Sequence, residues 1–393
     1  MTANETESTR RASDLILLAY ESRASDIHLQ PTEGYLEIRL RIDGVLQRQP
    51  DVPAKEGVEL IQRLKTMSAL NTDIADRPQD GRIFIDLKDK RLDLRVSALP
   101  TIHGERITMR LLDRSGVVLA LDGMGLHEST LNAIQKLCQL PNGVVLSTGP
   151  TGSGKTTLMY AMLMSLDREH CAVFSVEDPV EYDLPGVSQT AVRPAAGVTF
   201  SRAARSILRQ DPDVIMIGEI RDLETAQMSV QMALTGHLVM TQLHAATAPG
   251  AFKRLLDMGV EPFLINQSVR GVISQRLVRR LCPACKRPAK PKLDLLPAGI
   301  LERLGLLDGD FAEPVGCDQC RQMGYRGRKA IHEIIVPEDD VRHAVNGGDL
   351  DAIREAARKN GMATLFEDGL RYAAKGVTSL AEVTRVASTG RYE

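Results

Sequence analysis

Residues 149–157 read GPTGSGKTT, a spacing of glycines, lysine and hydroxyl residues that can close around a phosphate group. Gly149, Gly152 and Gly154 let the loop Pro150–Thr157 turn its backbone N–H groups from Thr151 onward, among them those of Thr151, Ser153 and Thr157, toward phosphate oxygens. Lys155 reaches the outer phosphates, and the Thr156 hydroxyl ligates Mg²⁺. The pattern requires a strand before it and a helix after it. VVLST at 144–148 is a short β-branched run, and KTTLMYAMLMSL is helix-forming, so the loop sits at a helix N-terminus that favours an anion.

Phosphoryl transfer to water also needs a group that orients the water and cations that meet the developing charge. Glu219, at the end of the apolar run VIMIG, is the candidate for the first task. An acidic residue that holds Mg²⁺ commonly ends such a strand, and here that position is Gly218. Metal contact then falls on Thr156, on water and on Glu177. The stretch EDPVE at 177–181 contributes Glu177, Asp178 and Glu181, which repel one another unless a cation or arginines neutralise them. A solvated acidic loop is the alternative reading. Arg202, Arg205 and Arg209 share one helical face ahead of Arg221, as phosphate sensors or as a solvated, ion-paired surface. His244 follows LVMTQL and either senses phosphate, holds a carboxylate or is a core histidine.

Cys282 and Cys285 in CPAC, and Cys317 and Cys320 in CDQC, form two C-x₂-C pairs with residues 286–316 between them. In a reducing compartment two such pairs read as a structural Zn²⁺ site, with four thiolates and no open coordination position. Cys138 and Cys171 stand alone and read as core residues.

The elements that must hold these residues follow from periodicity. Residues 1–12 are polar and read as a disordered N-terminus without a signal peptide. Residues 13–112 read as a small α+β domain: a helix over SDLILLAYESRAS, then period-two strands at 35–48, 82–87 and 91–99. Asp43–Gly44 and the residues around Lys88, Asp89 and Lys90 supply the turns. Residues 113–275 alternate strand and helix as a mostly parallel, doubly wound sheet does. AVFSV, VIMIG and LVMTQL end in EDPVE, GEIRD and His244, so the polar clusters gather at the strands' carboxyl ends. Residues 276–330 read as the tetracysteine subdomain and 331–393 as a helical C-terminal part.

Composition bounds the partners. The 393 residues carry 49 Lys plus Arg against 51 Asp plus Glu, with 4% aromatics and no tryptophan, which gives neither a basic field nor stacking platforms for nucleic acid. No apolar stretch approaches the ~18 residues of a membrane span. The expectation is a protein that stays in the cytoplasm.

Taken together, these segments resemble the secretion ATPases that power type II secretion and type IV pilus assembly. SDIHLQP, RLRIDG and RPQDGRI are similar to that family's second N-terminal domain, GPTGSGKTT to its Walker A loop and EDPVE to its Asp box. LRQDPDVIMIGEIRD resembles its Walker B segment, TGHLVMTQLHAATAPG its His box, and CPAC with CDQC the zinc module of its assembly and secretion branches. The resemblance implies a RecA-like α/β motor after a PAS-like domain, and a homohexameric ATPase using ATP, Mg²⁺ and Zn²⁺. By position, Glu219 matches the catalytic glutamate and His244 the His-box histidine. Arg95 and Arg110 match phosphate-closing arginines of the N-terminal domain, and Arg205, Arg209 and Arg221 match those of the motor.

The same resemblance implies peripheral association with the inner membrane through a platform protein and a cytoplasmic docking protein, with an acidic phospholipid surface as a further contact. The expected load is assembly of a type II secretion pseudopilus. A type IV pilus extension motor shares every one of these motifs, and a nucleic-acid translocase or a nucleotide switch with negligible turnover are the rivals from other classes. Two departures stand out. The family's additional N-terminal docking domain is not seen ahead of the second one, which leaves recruitment open. Ala246 also stands where the family commonly has an Asn.

Overall fold

In the computed structural model, residues 3–87, 90–112, 120–291 and 296–387 are described, and the chain divides into two compact units, Met1–Gly116 and Val117–Glu393. The first comprises α1 (Ala3–Glu21), β1 (Ala24–Pro31), β2 (Tyr35–Ile42), β3 (Val45–Arg48), β4 (Val52–Pro53), α2 (Ala54–Met67), β5 (Gln79–Leu87), β6 (Lys90–Thr101) and β7 (Gly104–Leu112). Its strands form one antiparallel sheet in the order β3-β2-β1-β7-β6-β5, with β4 beside β2.

Alternation decides which face of that sheet is covered. Ile38, Leu40, Leu94, Val96, Ile107 and Met109 bury against Leu15, Ile16 and Ala19 of α1 and Leu60, Ile61 and Leu64 of α2. Asp43 (φ 49°) and Gly44 (φ 85°) make the two-residue turn between β2 and β3 that their types predict. The second expected turn, at Lys88 and Asp89, lies outside the described residues.

The N-terminus departs from expectation. Residues 3–12, read as disordered, belong to α1, because Ala12 is fully buried and Arg11 pairs with Glu7 one turn away and with Glu56 of α2. The helix also stops at Glu21, and Arg23 adopts φ 55° before β1 begins.

The second unit runs α3 (Glu128–Cys138), β8 (Gly143–Thr148), α4 (Lys155–Met164), β9 (Val173–Glu177), β10 (Ser188–Ala191), α5 (Phe200–Ile207), β11 (Val214–Ile217), α6 (Leu223–Leu234), β12 (Leu238–Leu243), α7 (Ala248–Asp257), α8 (Pro262–Ser268) and β13 (Val269–Leu281). It continues through β14 (Arg287–Pro288), α9 (Ile300–Arg303), β15 (Ala312–Glu313), β16 (Tyr325–Ile335), α10 (Asp339–Gly347), α11 (Leu350–Lys359), α12 (Leu365–Ala373) and α13 (Leu380–Ala387). The main sheet is ordered β10-β9-β11-β12-β8-β13-β16, parallel throughout except for the last pair.

Neighbouring residues of one strand enter different cores: Val144 and Leu146 join the cluster that holds Phe252 and Val341, while Val145 joins the one that holds Leu158 and Tyr160. Both faces are therefore covered, which is why these strands read as unbroken apolar runs. The positions 275/276 and 330/331, expected as domain boundaries, fall inside β13 and β16. The tetracysteine segment is thus an excursion between two paired strands of the sheet rather than an appendage after it. Cys138 is a core residue and Cys171 packs partly buried beside the same cluster.

Candidate functional site

The strand order puts β12 between β8 and β11, so the carboxyl ends of these three strands lie side by side. The end of β8 opens into the phosphate loop. Its glycines hold left-handed backbone, φ 144° at Gly149, 77° at Gly152 and 88° at Gly154, conformations that side-chain-bearing residues rarely adopt. Gly154 immediately precedes α4, whose first turn presents backbone N–H groups with no partner inside a helix.

Lys155 Nζ donates to the carbonyls of Gly149 and Pro150 at 2.9 Å each. Burial pushes its pKa below the usual lysine value, while the nearby Glu219 charge works the other way. The Thr156 hydroxyl accepts a 3.2 Å hydrogen bond from Gln242 at the end of β12. The Ser153 hydroxyl is buried and has no partner in the protein, a polar atom inside the loop that fits an anion's shell. The donors present suit a nucleotide triphosphate with Mg²⁺ on Thr156.

Glu219 lies just beyond β11. Its Oε1 accepts from Arg221 Nε at 2.8 Å and its Oε2 is 3.1 Å from His244 Nε2. Arg221 also reaches Asp178 at 3.4 Å. Partial burial pushes the Glu219 carboxyl upward, but Arg221 and His244 outweigh it and leave the pKa below the ordinary carboxylate value. His244 is fixed from behind, because the Thr148 hydroxyl donates to Ala245 O at 3.0 Å and accepts from Ala245 N–H at 2.9 Å.

Gly218 carries no carboxylate for a steric reason. A Cβ there would lie 3.2 Å from Val176 O and 3.4 Å from Phe200, closer than most side chains approach a neighbour.

Three expectations fare differently. Glu177, expected beside the metal, is 3% exposed and takes hydrogen bonds from the hydroxyl of Tyr160, from Ser175 at 2.6 Å and from Gln189 at 2.9 Å. Both of its oxygens accept from groups on β9, β10 and α4, so its hydrogen bonds are those of a buried brace between these elements. Arg205 pairs with Glu224 of α6 at 2.9 Å, and Arg209 folds back onto Arg205 O at 3.0 Å. These side chains and Arg202, which bonds Gly197 O, hold surface positions with partners of their own. Arg221 is in the cluster, clamped between two carboxylates.

In the first unit, Arg95 and Arg110 are cross-strand partners, and register extends them into a row: Arg82, Arg95, Arg110, Asp26, Arg41. Arg110 Nε donates to Asp26 at 2.9 Å. Directly opposed like charges destabilise a sheet, so four guanidinium groups around one carboxylate make a face that favours an anion. Six of the residues that line an open depression of 530 Å³ on that face are Asp26, Asp80, Arg82, Arg95, Thr108 and Arg110.

The four cysteines converge. Sγ atoms of Cys282 and Cys317 are 3.9 Å apart, those of Cys285 and Cys320 are 3.8 Å and those of Cys317 and Cys320 are 3.7 Å. Metal–sulfur bonds of about 2.3 Å at tetrahedral angles require about 3.8 Å between sulfurs. Backbone N–H groups of Gly316, Cys317 and Gly324 point at these sulfurs, as they do toward thiolates. The cluster could hold a metal ion.

A family model described as Type II/IV secretion system protein matches residues 3–385. The chain belongs to this family. It is 48% identical to the Type II secretion system protein HxcR of Pseudomonas aeruginosa, over 96% of this chain and 76% of that protein. It is 45% identical to the Type II secretion system ATPase E of Vibrio cholerae, over 94% of this chain and 73% of the relative. In structure it resembles the ATPase DotB of Legionella pneumophila, with a TM-score of 0.66 at 22% identity over 94% of this chain and 93% of DotB. It also resembles the pilus retraction motor PilT with bound ADP, with a TM-score of 0.59 at 22% identity over 95% of each chain. These last two likenesses are of fold. No helix among the described residues is long and apolar enough to cross a membrane.

Sequence reading missed Gln242, Gln275, His332 and Arg82. Gln242 carried a signal, a long amide side chain in the largely apolar run LVMTQL. The other three depend on strand register.

Proposed function

We propose that this secretion-family protein hydrolyses ATP at the phosphate loop and works as a homohexameric motor of type II secretion, driving pseudopilus assembly. The observation that carries the reading is Glu219: a charged carboxylate within electrostatic reach of Lys155, aimed by Arg221 and His244, at the strand end beside the loop. A carboxylate so held can orient water for in-line attack, while Lys155 and Mg²⁺ on Thr156 meet the phosphate charge. Relatives named for type II secretion favour that load over pilus extension.

In this reading Arg95 and Arg110 contribute countercharge to the phosphates, and nucleotide-driven closure is the motion that does work on an inner-membrane platform protein. A docking protein and acidic lipid bring the motor to the membrane. The four cysteines hold Zn²⁺, which stabilises the segment between β13 and β16.

Steady-state ATP turnover tests the reading, measured for wild type and Lys155→Ala, each alone, with acidic liposomes and with single-stranded DNA. Turnover by wild type that liposomes raise, DNA leaves unchanged and Lys155→Ala abolishes is the expected outcome. Normal turnover by the variant would remove the assigned site, and stimulation by DNA would replace the load. Metal analysis of folded protein is expected to find about one zinc per chain; none would remove the zinc assignment.

A further inference from the structure

The middle of β13 brings a buried polar pair against the phosphate loop. Gln275 and His332 are direct cross-strand partners on β13 and β16, 1% and 3% exposed. Gln275 Nε2 donates to Ser153 O at 2.7 Å, and Gln275 Oε1 lies 3.1 Å from His332 Nε2. Because the Ser153 carbonyl only accepts, the amide nitrogen of Gln275 must face it. Oε1 then faces His332, which carries its proton on Nε2. Burial pushes the His332 pKa down to about 3, so the ring is a neutral, single donor at physiological pH. The His332 backbone is itself fixed, since its N–H donates to Asp368 at 2.8 Å.

Contact with the loop is close at two glycines. A Cβ on Gly154 would lie 2.6 Å from Gln275 Nε2, and one on Gly149 would lie 2.5 Å from Gln275 O. The peptide between Ser153 and Gly154 is planar and trans, so its carbonyl and its N–H point to opposite sides. With the carbonyl turned onto β13, the Gly154 N–H faces away from the strand, into the loop. A flipped peptide would instead present the carbonyl oxygen, the negative end of the dipole, to an arriving phosphate.

We propose that Gln275, oriented by His332, is a positioning residue for the phosphate loop that anchors the Ser153 carbonyl and so presents the Gly154 N–H to a phosphate oxygen. This inference rests on the loop being the ATP site. An N–H that contacts phosphate equally in the bound and transition states contributes uniform binding, which appears in KM rather than kcat. Gln275→Met keeps the length and apolar packing and removes the donor. Its ATP KM and its ADP Kd are expected to rise about tenfold, with kcat at saturation within about threefold of wild type. His332→Leu leaves the donor but frees the amide to turn, and about a threefold rise in both constants is expected, the amide having two orientations to populate.

Equilibrium ADP titration and ATP kinetics on full-length wild type, Gln275→Met, His332→Leu and Lys155→Ala decide the matter, with thermal melts to verify folding. If wild type itself neither binds ADP nor turns over ATP, the nucleotide reading fails. If wild type is active and folded Gln275→Met keeps wild-type KM and Kd, or loses kcat with KM unmoved, the positioning role is wrong. Should Gln275→Met not fold, unchanged constants in His332→Leu would overturn it equally.

Discussion

Glu177 and Glu219 invite comparison because they occupy equivalent places, the carboxyl ends of two adjacent parallel strands, β9 and β11. Both follow apolar runs, and both match acidic positions of the same family. Their surroundings separate them. Glu177 is buried among neutral donors, the hydroxyls of Tyr160 and Ser175 and the amide of Gln189. Glu219 has a side chain 21% exposed and is met by a guanidinium and an imidazole. One carboxylate is enclosed by neutral hydrogen-bond donors, and the other is aimed by cationic partners and accessible. Position along a strand thus nominates a residue, and the donors around it decide what it does.

The largest test of that contrast is Glu219→Gln. The amide keeps the shape but loses the charge that polarises water, so kcat is expected to fall by about 10²–10³. ADP affinity should stay near wild type, because the phosphate loop is untouched. Equal losses in binding and turnover would make Glu219 a structural residue like its neighbour.

A smaller effect is expected at Arg221. The carboxyl of Glu219 is raised by burial and lowered further by Arg221 and His244. Its charged form therefore persists below the ordinary carboxylate range, near 4.3 for glutamate, and the acid limb of the wild-type rate profile should lie below that range. Arg221→Ala removes the main cationic partner and leaves the burial, so the limb should move to higher pH. The rate at neutral pH should fall about tenfold as the carboxylate loses its orientation. A pH profile that does not move would show that Arg221 acts on phosphate alone.

How much of this was visible beforehand depends on sequence separation. The phosphate loop and its flanking strand and helix were legible because their signals are contiguous, and LVMTQL matches β12 residue for residue. The C-x₂-C pairs were legible because thiol spacing is itself the signal. The surroundings of Glu177 were not legible because the groups that enclose it, Tyr160 and Gln189, come from α4 and β10. Gln275 and His332 are separated by the whole tetracysteine excursion and meet only through β13–β16 register. The same holds for Arg82 beside Arg95, a neighbour only once β5 and β6 pair. The helix over residues 3–12 was missed because its stability comes from burying Ala12 and pairing Arg11 with α2, and a polar N-terminal stretch read alone contains neither partner.

The smallest expected effect on activity completes the contrast. In Glu177→Gln one carboxylate oxygen becomes an NH₂ group. The variant keeps an acceptor for Ser175 and Gln189 or for Tyr160, but not for all three, and turns a donor toward another donor. A buried group left so mismatched costs about 1–3 kcal/mol, which for a domain of this size lowers the melting temperature by roughly 2–10 °C. Turnover below the melt should stay within about threefold of wild type, because none of the three donors touches the phosphate loop. The paired measurement of melting temperature and kcat is decisive in both directions. Lost stability with retained kcat makes Glu177 the brace that its hydrogen bonds describe, whereas lost kcat at unchanged stability would return it to the reaction and erase the distinction between the two strand ends.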